Sequence, residues 1–413
     1  MSLAPAALKR AAIGEQLSDR RPGESVRAEV GKIPELEGLR GVAVLWVLVF
    51  DYFVAGSEIF EDPFNSLIAA SPVLDTIVRH GYYALDLFFL ISGFLLTLPW
   101  FRHAAEGRPA PAARDFYIRR IRRIVPAYYV QLAFLFFVAV PLLHGLNIWW
   151  LDPMKMLANV YAHLFFVHYT TPLTSASLSV NGVLWSLSLE AQYYLLLPLL
   201  APFFVRFPWR SALVFIAVSI AWRWLAATDM DALVRYLASI DARPAAPESR
   251  VRILVMTQLP GYLGHFAVGI LAGREWLRVR DRAVAPGVAL ARLTVAVVAL
   301  ALAYSVHAGA GIGPAWIRWL ATLAAFAVAM VALVSHDNAF ARLLFANPLI
   351  AFVGRISYSV FLYHLPLLFL WVRFVAPNNS WLSFPAYFAL ALAVSWLSYR
   401  YVETPFLKAK RRT

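Results

Sequence analysis

The chain has no cysteine among its 413 residues. Disulfides, thiolate metal sites and a cysteine nucleophile are therefore excluded. It has no HxxxH or HExxH pair, and His163 and His168, five apart, have poor helical geometry for one shared ion. No P-loop and no glycine-rich dinucleotide fingerprint occurs. Residues 1–32 lack the apolar core of a secretory signal and read as a disordered, basic cytoplasmic tail. Acidic residues are scarce, 24 against 37 Lys and Arg, for a net charge of +13. That excess would suit nucleic acid in a soluble protein, but its distribution here argues against such a partner.

What the chain does have is apolar length. It is 61% hydrophobic with a mean hydropathy of +0.64, which predicts an all-α, polytopic membrane helix bundle. Apolar runs bounded by charge or Pro/Gly fall at about 38–56, 83–101, 124–143, 184–205, 211–227, 252–272, 285–306, 316–335, 350–373 and 382–402, or ten spans. The short stretch 156–169 reads as a re-entrant or interfacial helix. Ten spans put both termini on one side. With the termini inside, 27 of the 37 Lys and Arg are cytoplasmic and 8 lie outside, the asymmetry expected of cytoplasmic termini. The predicted organisation is a tail at 1–32, a membrane domain at 33–406 and a basic tail at 407–413.

Ionisable residues inside these runs are costly, and so are functional candidates by default. In Ile33–Phe53, Asp51 follows Arg40 by 11 residues, which puts both on nearly one face about 16 Å apart. The plainer account of Asp51 is a carboxylate satisfied by a neighbouring Arg or Tyr. In 81–96, Asp86 and Ser92 point to roughly opposite faces, and Ser92-Gly93 reads as a close-packing site before it reads as a nucleophile. In 115–129, Arg119, Arg120, Arg122 and Arg123 cluster on adjacent helical faces. They either anchor the cytoplasmic end or grip phosphates with guanidinium forks. Pro126 is placed in the first turn of the third span. In 181–200, Glu190 lies near Trp185 and needs a proton or a partner such as Arg40 or Arg223. Tyr358 and His364 occupy the ninth span, and Glu403 is expected to pair with Arg400.

Six segments, IPELEGLRGVAVLWVLVF, LDLFFLISGFLL, FYIRRIRRIVPAYY, LWSLSLEAQYYLLLP, RISYSVFLYHLP and RYVETPF, together resemble the acyltransferase-3 family of membrane O-acyltransferases, in the family's order and over about 33–406. The resemblance implies ten core membrane helices in a bacterial inner (cytoplasmic) membrane. It implies transfer of an acyl group, usually acetyl from acetyl-CoA, to a hydroxyl of a surface glycan, a lipid or a small secondary metabolite. No metal is implied, and the chain resembles the stand-alone form without a hydrolase-like domain. In the family the first helix carries an Arg, ten residues and then a His taken as the base; Arg40 matches the Arg, whereas Asp51 stands at the His position. His starts near pKa 6.5, about right for a base at neutrality, while Asp starts near 3.9 and needs desolvation to match. The expected assignments are Asp51, Arg40, Glu190 and His364 to catalysis; Arg119, Arg120, Arg122 and Arg123 to the CoA phosphates; and Asp86, Ser92, Trp185 and Tyr358 to substrate. Two alternatives stay open at this level. One is a transporter or lipid/acyl-binding protein with Asp51 as a proton relay. The other is a variant enzyme that uses another donor or releases the acyl group to water.

Overall fold

The computed structural model describes residues 33–55, 62–240, 248–280, 285–308, 315–334, 343–375 and 380–408. The predicted tail at 1–32, and residues 409–413 of the one predicted at 407–413, lie outside these. The described residues contain no strand. Ten helices of 16 residues or more dominate: α1 Pro34–Phe50, α2 Tyr83–Ala105, α3 Ala113–Phe134, α4 Trp185–Arg206, α5 Pro208–Thr228, α6 Leu259–Val279, α7 Pro286–Ala308, α8 Ala315–Val334, α9 Pro348–Phe374 and α10 Ser383–Ser398. Each corresponds to one of the predicted apolar runs. Five helical segments are individually long and apolar enough to cross a membrane: Tyr83–Ala105, Ala113–His144, Gly182–Arg206, Pro208–Thr228 and Pro348–Phe374. Glu248–Met256 and Leu259–Val279, bent by 42° to each other, reach that length and apolarity when taken together. The chain is an all-α, multi-pass membrane bundle.

Helix starts follow local chemistry. α1 opens on Pro34, with Glu35 and Glu37 in its first turn against the positive end of the helix dipole. α9 opens on Pro348, and the Asn347 side chain accepts from Ile350 N at 2.9 Å. α3 begins well before its apolar stretch, because the basic segment is itself helical. Pro126 therefore lies in the helix interior rather than in a first turn. The run at 252–272 is likewise not one helix: it breaks after Met256, and Pro260 starts the second piece. The stretch 156–169 resolves into the end of a helix, Pro153–Leu164, and a short turn at His168–Thr170, within a connector of short helices.

Glycines set the closest helix approaches, as expected where lipid gives no hydrophobic drive between helices. α1 packs on α9 with Gly41 against the Ile350 carbonyl and Gly354 against the Glu37 carbonyl. α2 packs on α6 with Gly93 against the Phe266 carbonyl and Gly269 against that of Leu90. A Cβ at Gly354 would run into the Glu37 carbonyl oxygen. Gly354→Val is expected to cost at least about 1–3 kcal/mol of stability through overpacking. The thermal unfolding midpoint of the detergent-solubilised protein checks this; an unchanged midpoint would show that the α1–α9 contact is not tight.

At the end of α5, the Arg252 guanidinium donates to the Asp231 carboxylate, which lies beyond that helix, and to the Ala226 carbonyl. That contact holds the exposed Asp231 carboxyl below its ordinary range.

Candidate active site

The α1–α9 contact brings together two residues 313 apart in sequence: Asp51 Oδ2 lies 2.8 Å from His364 Nε2. Both are buried, Asp51 at 7% exposure and His364 at 0%. Asp51 begins a π-helical turn, Asp51–Ala55, that closes α1. Such turns change the phase of a helix and recur at functional sites. The imidazole sits between two acceptors, since its Nδ1 is also 2.9 Å from the Val360 carbonyl. A carbonyl accepts only, so Nδ1 carries a hydrogen, and one further proton is shared between Nε2 and Oδ2. The carboxyl and the imidazole are thus coupled through one hydrogen bond.

The surroundings fix the pair from several sides. The Tyr387 hydroxyl donates to the His364 carbonyl at 2.9 Å. The next residue, Tyr52, donates to the Asp62 carboxylate and lies 3.0 Å from Ser383 Oγ, tying the end of α1 to α10. Pro366 has no N–H, so the Leu362 carbonyl one turn earlier loses its helical donor. Asn181 Nδ2 supplies one at 3.0 Å. Asn181→Ala should leave that buried carbonyl unsatisfied, at a cost of about 1–3 kcal/mol. Denaturant unfolding in mild detergent measures this, and a loss below about 0.5 kcal/mol would mean that α9 heals itself.

Asp51 lies at the wall of a cavity of about 460 Å³, lined also by Tyr82, Tyr83, Asp86, Trp185, Arg223, Tyr262 and Trp319. Asp86 Oδ1 is 3.2 Å from His265 Nε2, and the His265 ring stacks on Trp319 at 4.7 Å. Trp185 packs against Tyr262 and Tyr169. The lining thus combines flat aromatic faces, a guanidinium and two carboxylates.

A second polar group lies around Arg40, about three turns earlier on α1 and about 16 Å from Asp51 along the axis. Arg40 is in electrostatic reach of Arg123, Glu190 and Glu403. Ser92 Oγ donates to Glu190 Oε1 at 2.6 Å, which gives that serine a hydrogen-bonding role beside the close packing of Gly93. Glu190 pairs with this side and not with Arg223, which belongs to the cavity. Arg120 lies over the Tyr194 ring at 6.0 Å, and its Nε is buried without a partner. Arg122 is exposed and points away, whereas Arg119, Arg120 and Arg123 are half-buried. The expected Glu403–Arg400 pair does not form. A π-helical turn, Tyr399–Glu403, swings Glu403 inward to 2% exposure, where Ser359 donates to it, while Arg400 stays exposed. Tyr358 donates to the Ile124 carbonyl at 3.0 Å and does not line the cavity. Among the described residues, no group of three or more His, Asp or Glu is placed to hold a metal ion.

Of the residues singled out from sequence, Asp51, Asp86 and Trp185 line the cavity, and His364 stands behind Asp51. Arg40, Ser92, Glu190 and the inward arginines form the second group. Sequence reasoning missed Tyr82, Tyr262, Trp319 and His265. His265 lies within an apolar run, so the cost of intramembrane ionisable residues marked it; the aromatics carried no such signal.

A family model described as an acyltransferase domain matches residues 33–400. The peptidoglycan O-acetyltransferase OatA of Listeria monocytogenes is 25% identical over 390 residues, which cover 91% of this chain and 56% of that protein. Nodulation protein 10 of Rhizobium leguminosarum is 28% identical over 241 residues, covering 55% of this chain and 59% of that protein. The chain thus matches between half and two thirds of the length of these relatives. No solved structure matches it.

Proposed function

The chain belongs to the acyltransferase-3 family, and from that premise we propose that it is a membrane O-acyltransferase moving an acyl group, acetyl in the first instance, from acyl-CoA to a hydroxyl of a glycan, lipid or small-molecule acceptor. The observation that carries this reading is the Asp51–His364 pair at the wall of a cavity large enough for a small acceptor. Its aromatic and polar lining is typical of a small-molecule site. The family's first-helix histidine is missing, but an imidazole from α9 stands 2.8 Å from the substituted residue. The acid–base couple is rebuilt across two helices.

The division of labour follows from exposure. Asp51 meets the cavity and His364 does not, so Asp51 is the group that touches the acceptor, and His364 holds and orients it. As the acceptor oxygen takes the acyl group, its proton passes to Asp51 Oδ1, and the departing thiolate receives a proton from the same carboxyl. His364 orients Asp51 and supports its change of charge through the hydrogen bond between Nε2 and Oδ2. No covalent acyl-enzyme is needed.

The donor fits the second group. Arg40, Arg120 and Arg123 gather positive charge there, and the unpartnered Arg120 Nε is a donor that a phosphate oxygen would satisfy. Arg119 adds charge nearby. The roughly 16 Å between Arg40 and Asp51 suits the extended pantetheine arm of CoA. Glu190 and Glu403 offset part of that positive charge. Ten spans, both termini in the cytoplasm and a bacterial inner membrane complete the proposal, with residues 33–406 as one domain. Purified protein in lipid vesicles should consume labelled acetyl-CoA, releasing CoA to an acceptor or to water. If acetyl-CoA were neither bound nor consumed, the reading would fall.

A further inference from the structure

Arg223 sits near the end of α5, 9% exposed, on the cavity wall. Its Nε donates to the Gly261 carbonyl at 2.9 Å. Its guanidinium lies 4.6 Å from the Trp319 ring centroid and 5.0 Å from that of Tyr262. Its Nη2 is buried with no hydrogen-bond partner. Among the described residues, no carboxylate is within ion-pair distance of it; Asp86, on the same cavity, is turned to His265. A second guanidinium, that of Arg318 beside Trp319, also has a buried Nε without a partner.

This arrangement is incomplete. A guanidinium has five N–H donors; one is committed to a backbone carbonyl and the group is also in hydrogen-bonding reach of the Tyr262 side chain, which leaves Nη2 without a partner. Aromatic faces attract the cation but accept no in-plane hydrogen bond. A buried cation without an anion costs several kcal/mol. With Trp319 and Tyr262 beside the ring system, the edge that remains is the Nη edge. That edge matches the paired oxygens of a carboxylate or phosphate.

We infer that the molecule taken into this cavity carries an anionic group, a carboxylate or a phosphate monoester, and that Arg223 is the residue that reads it. Calling this molecule the acceptor rests on the acyl-transfer reading; the anion site itself does not. An acceptor bound this way is held by its charge at Arg223 while its hydroxyl faces Asp51.

The test is calorimetric titration of the protein in phosphatidylcholine nanodiscs with glucuronate, glucose 6-phosphate and glucose, at constant ionic strength. At least one anion should bind about 10-fold or more tighter than glucose, as expected for a charge-assisted contact. The better anion distinguishes carboxylate from phosphate. Arg223→Gln should abolish the preference and Arg223→Lys should retain part of it, with thermal melts showing both variants folded. If Arg223→Gln fails to fold, Arg223→Lys carries the test: a preference unchanged from wild type overturns the assignment. Equal binding of all three sugars, binding of none, or a preference that survives Arg223→Gln would also overturn it. A protein that binds anions through Arg223 yet consumes no acetyl-CoA would sink the reaction and spare this inference. Transfer to neutral acceptors without anion preference would do the reverse.

Discussion

Asp51→Asn is expected to lower acyl transfer by about 10²–10⁴-fold, the usual worth of a positioned acid–base group. The amide is the same size as the carboxylate, and either of its atoms can meet His364 Nε2, so the fold and the α1–α9 contact should persist. What is lost is a group that can take the hydroxyl proton. His364→Gln should cost less in kcat than Asp51→Asn, since the imidazole does not line the cavity. Combining the two should add little beyond Asp51→Asn, because residues acting as one unit are non-additive. Asp51→His restores the residue that the family resemblance places there and puts a second imidazole against His364; retained turnover would make the two residue types interchangeable bases. The decisive measurement is kcat with labelled acetyl-CoA for wild type and these four variants. Wild-type turnover that is indifferent to Asp51→Asn would move the base elsewhere.

Arg123→Gln should raise the KM for acetyl-CoA by about 10- to 150-fold, the equivalent of losing one charge-assisted hydrogen bond worth about 1.5–3 kcal/mol. The neighbouring Arg122→Gln should change it less than about 2-fold, because surface charges contribute little. The contrast is structural. Arg123 is half-buried and faces Arg40 and Glu403, whereas Arg122 is exposed one residue earlier on the same helix. Two inward guanidiniums repel each other, and an anion placed between them relieves that repulsion. A direct binding measurement with CoA alone separates this effect from chemistry. Equal losses from both substitutions would mean that the cluster acts only as diffuse surface charge.

Ten helices were legible in the sequence because burying backbone in lipid forces apolar runs of a defined length, and such runs are visible locally. The candidate residues were legible for the same reason: Asp51, Glu190 and His364 are ionisable groups inside apolar helices, and each is costly unless used. The family resemblance rested on short motifs that now have physical roles. Gly41 in the first motif and Gly354 just ahead of RISYSVFLYHLP allow two helices to touch. Asn181, just ahead of LWSLSLE, repairs the bond that Pro366 breaks in RISYSVFLYHLP. Helix boundaries were less legible. Apolarity marks the membrane-buried part of α3 and says nothing of the basic turns before it, and the run at 252–272 passes over the Thr257-Gln258 pair where the helix bends.

Helical periodicity assigns a residue to a face, and so the sequence by itself determined which carboxylates, arginines and histidines had to be accounted for. It did not determine their partners. Asp51 meets His364 and Asp86 meets His265 only because glycine contacts set how α1 lies on α9 and α2 on α6, and Ser92 meets Glu190 where α2 lies on α4. A π-helical turn at Tyr399–Glu403 then carries Glu403 inward, away from Arg400. Arg223, read from sequence as a candidate partner for Glu190, is instead a buried cation on the cavity wall because α6 and α8 close two aromatic rings around it. Such pairings depend on contacts between segments tens to hundreds of residues apart, whose free energies no local window contains, and tertiary packing alone decided them.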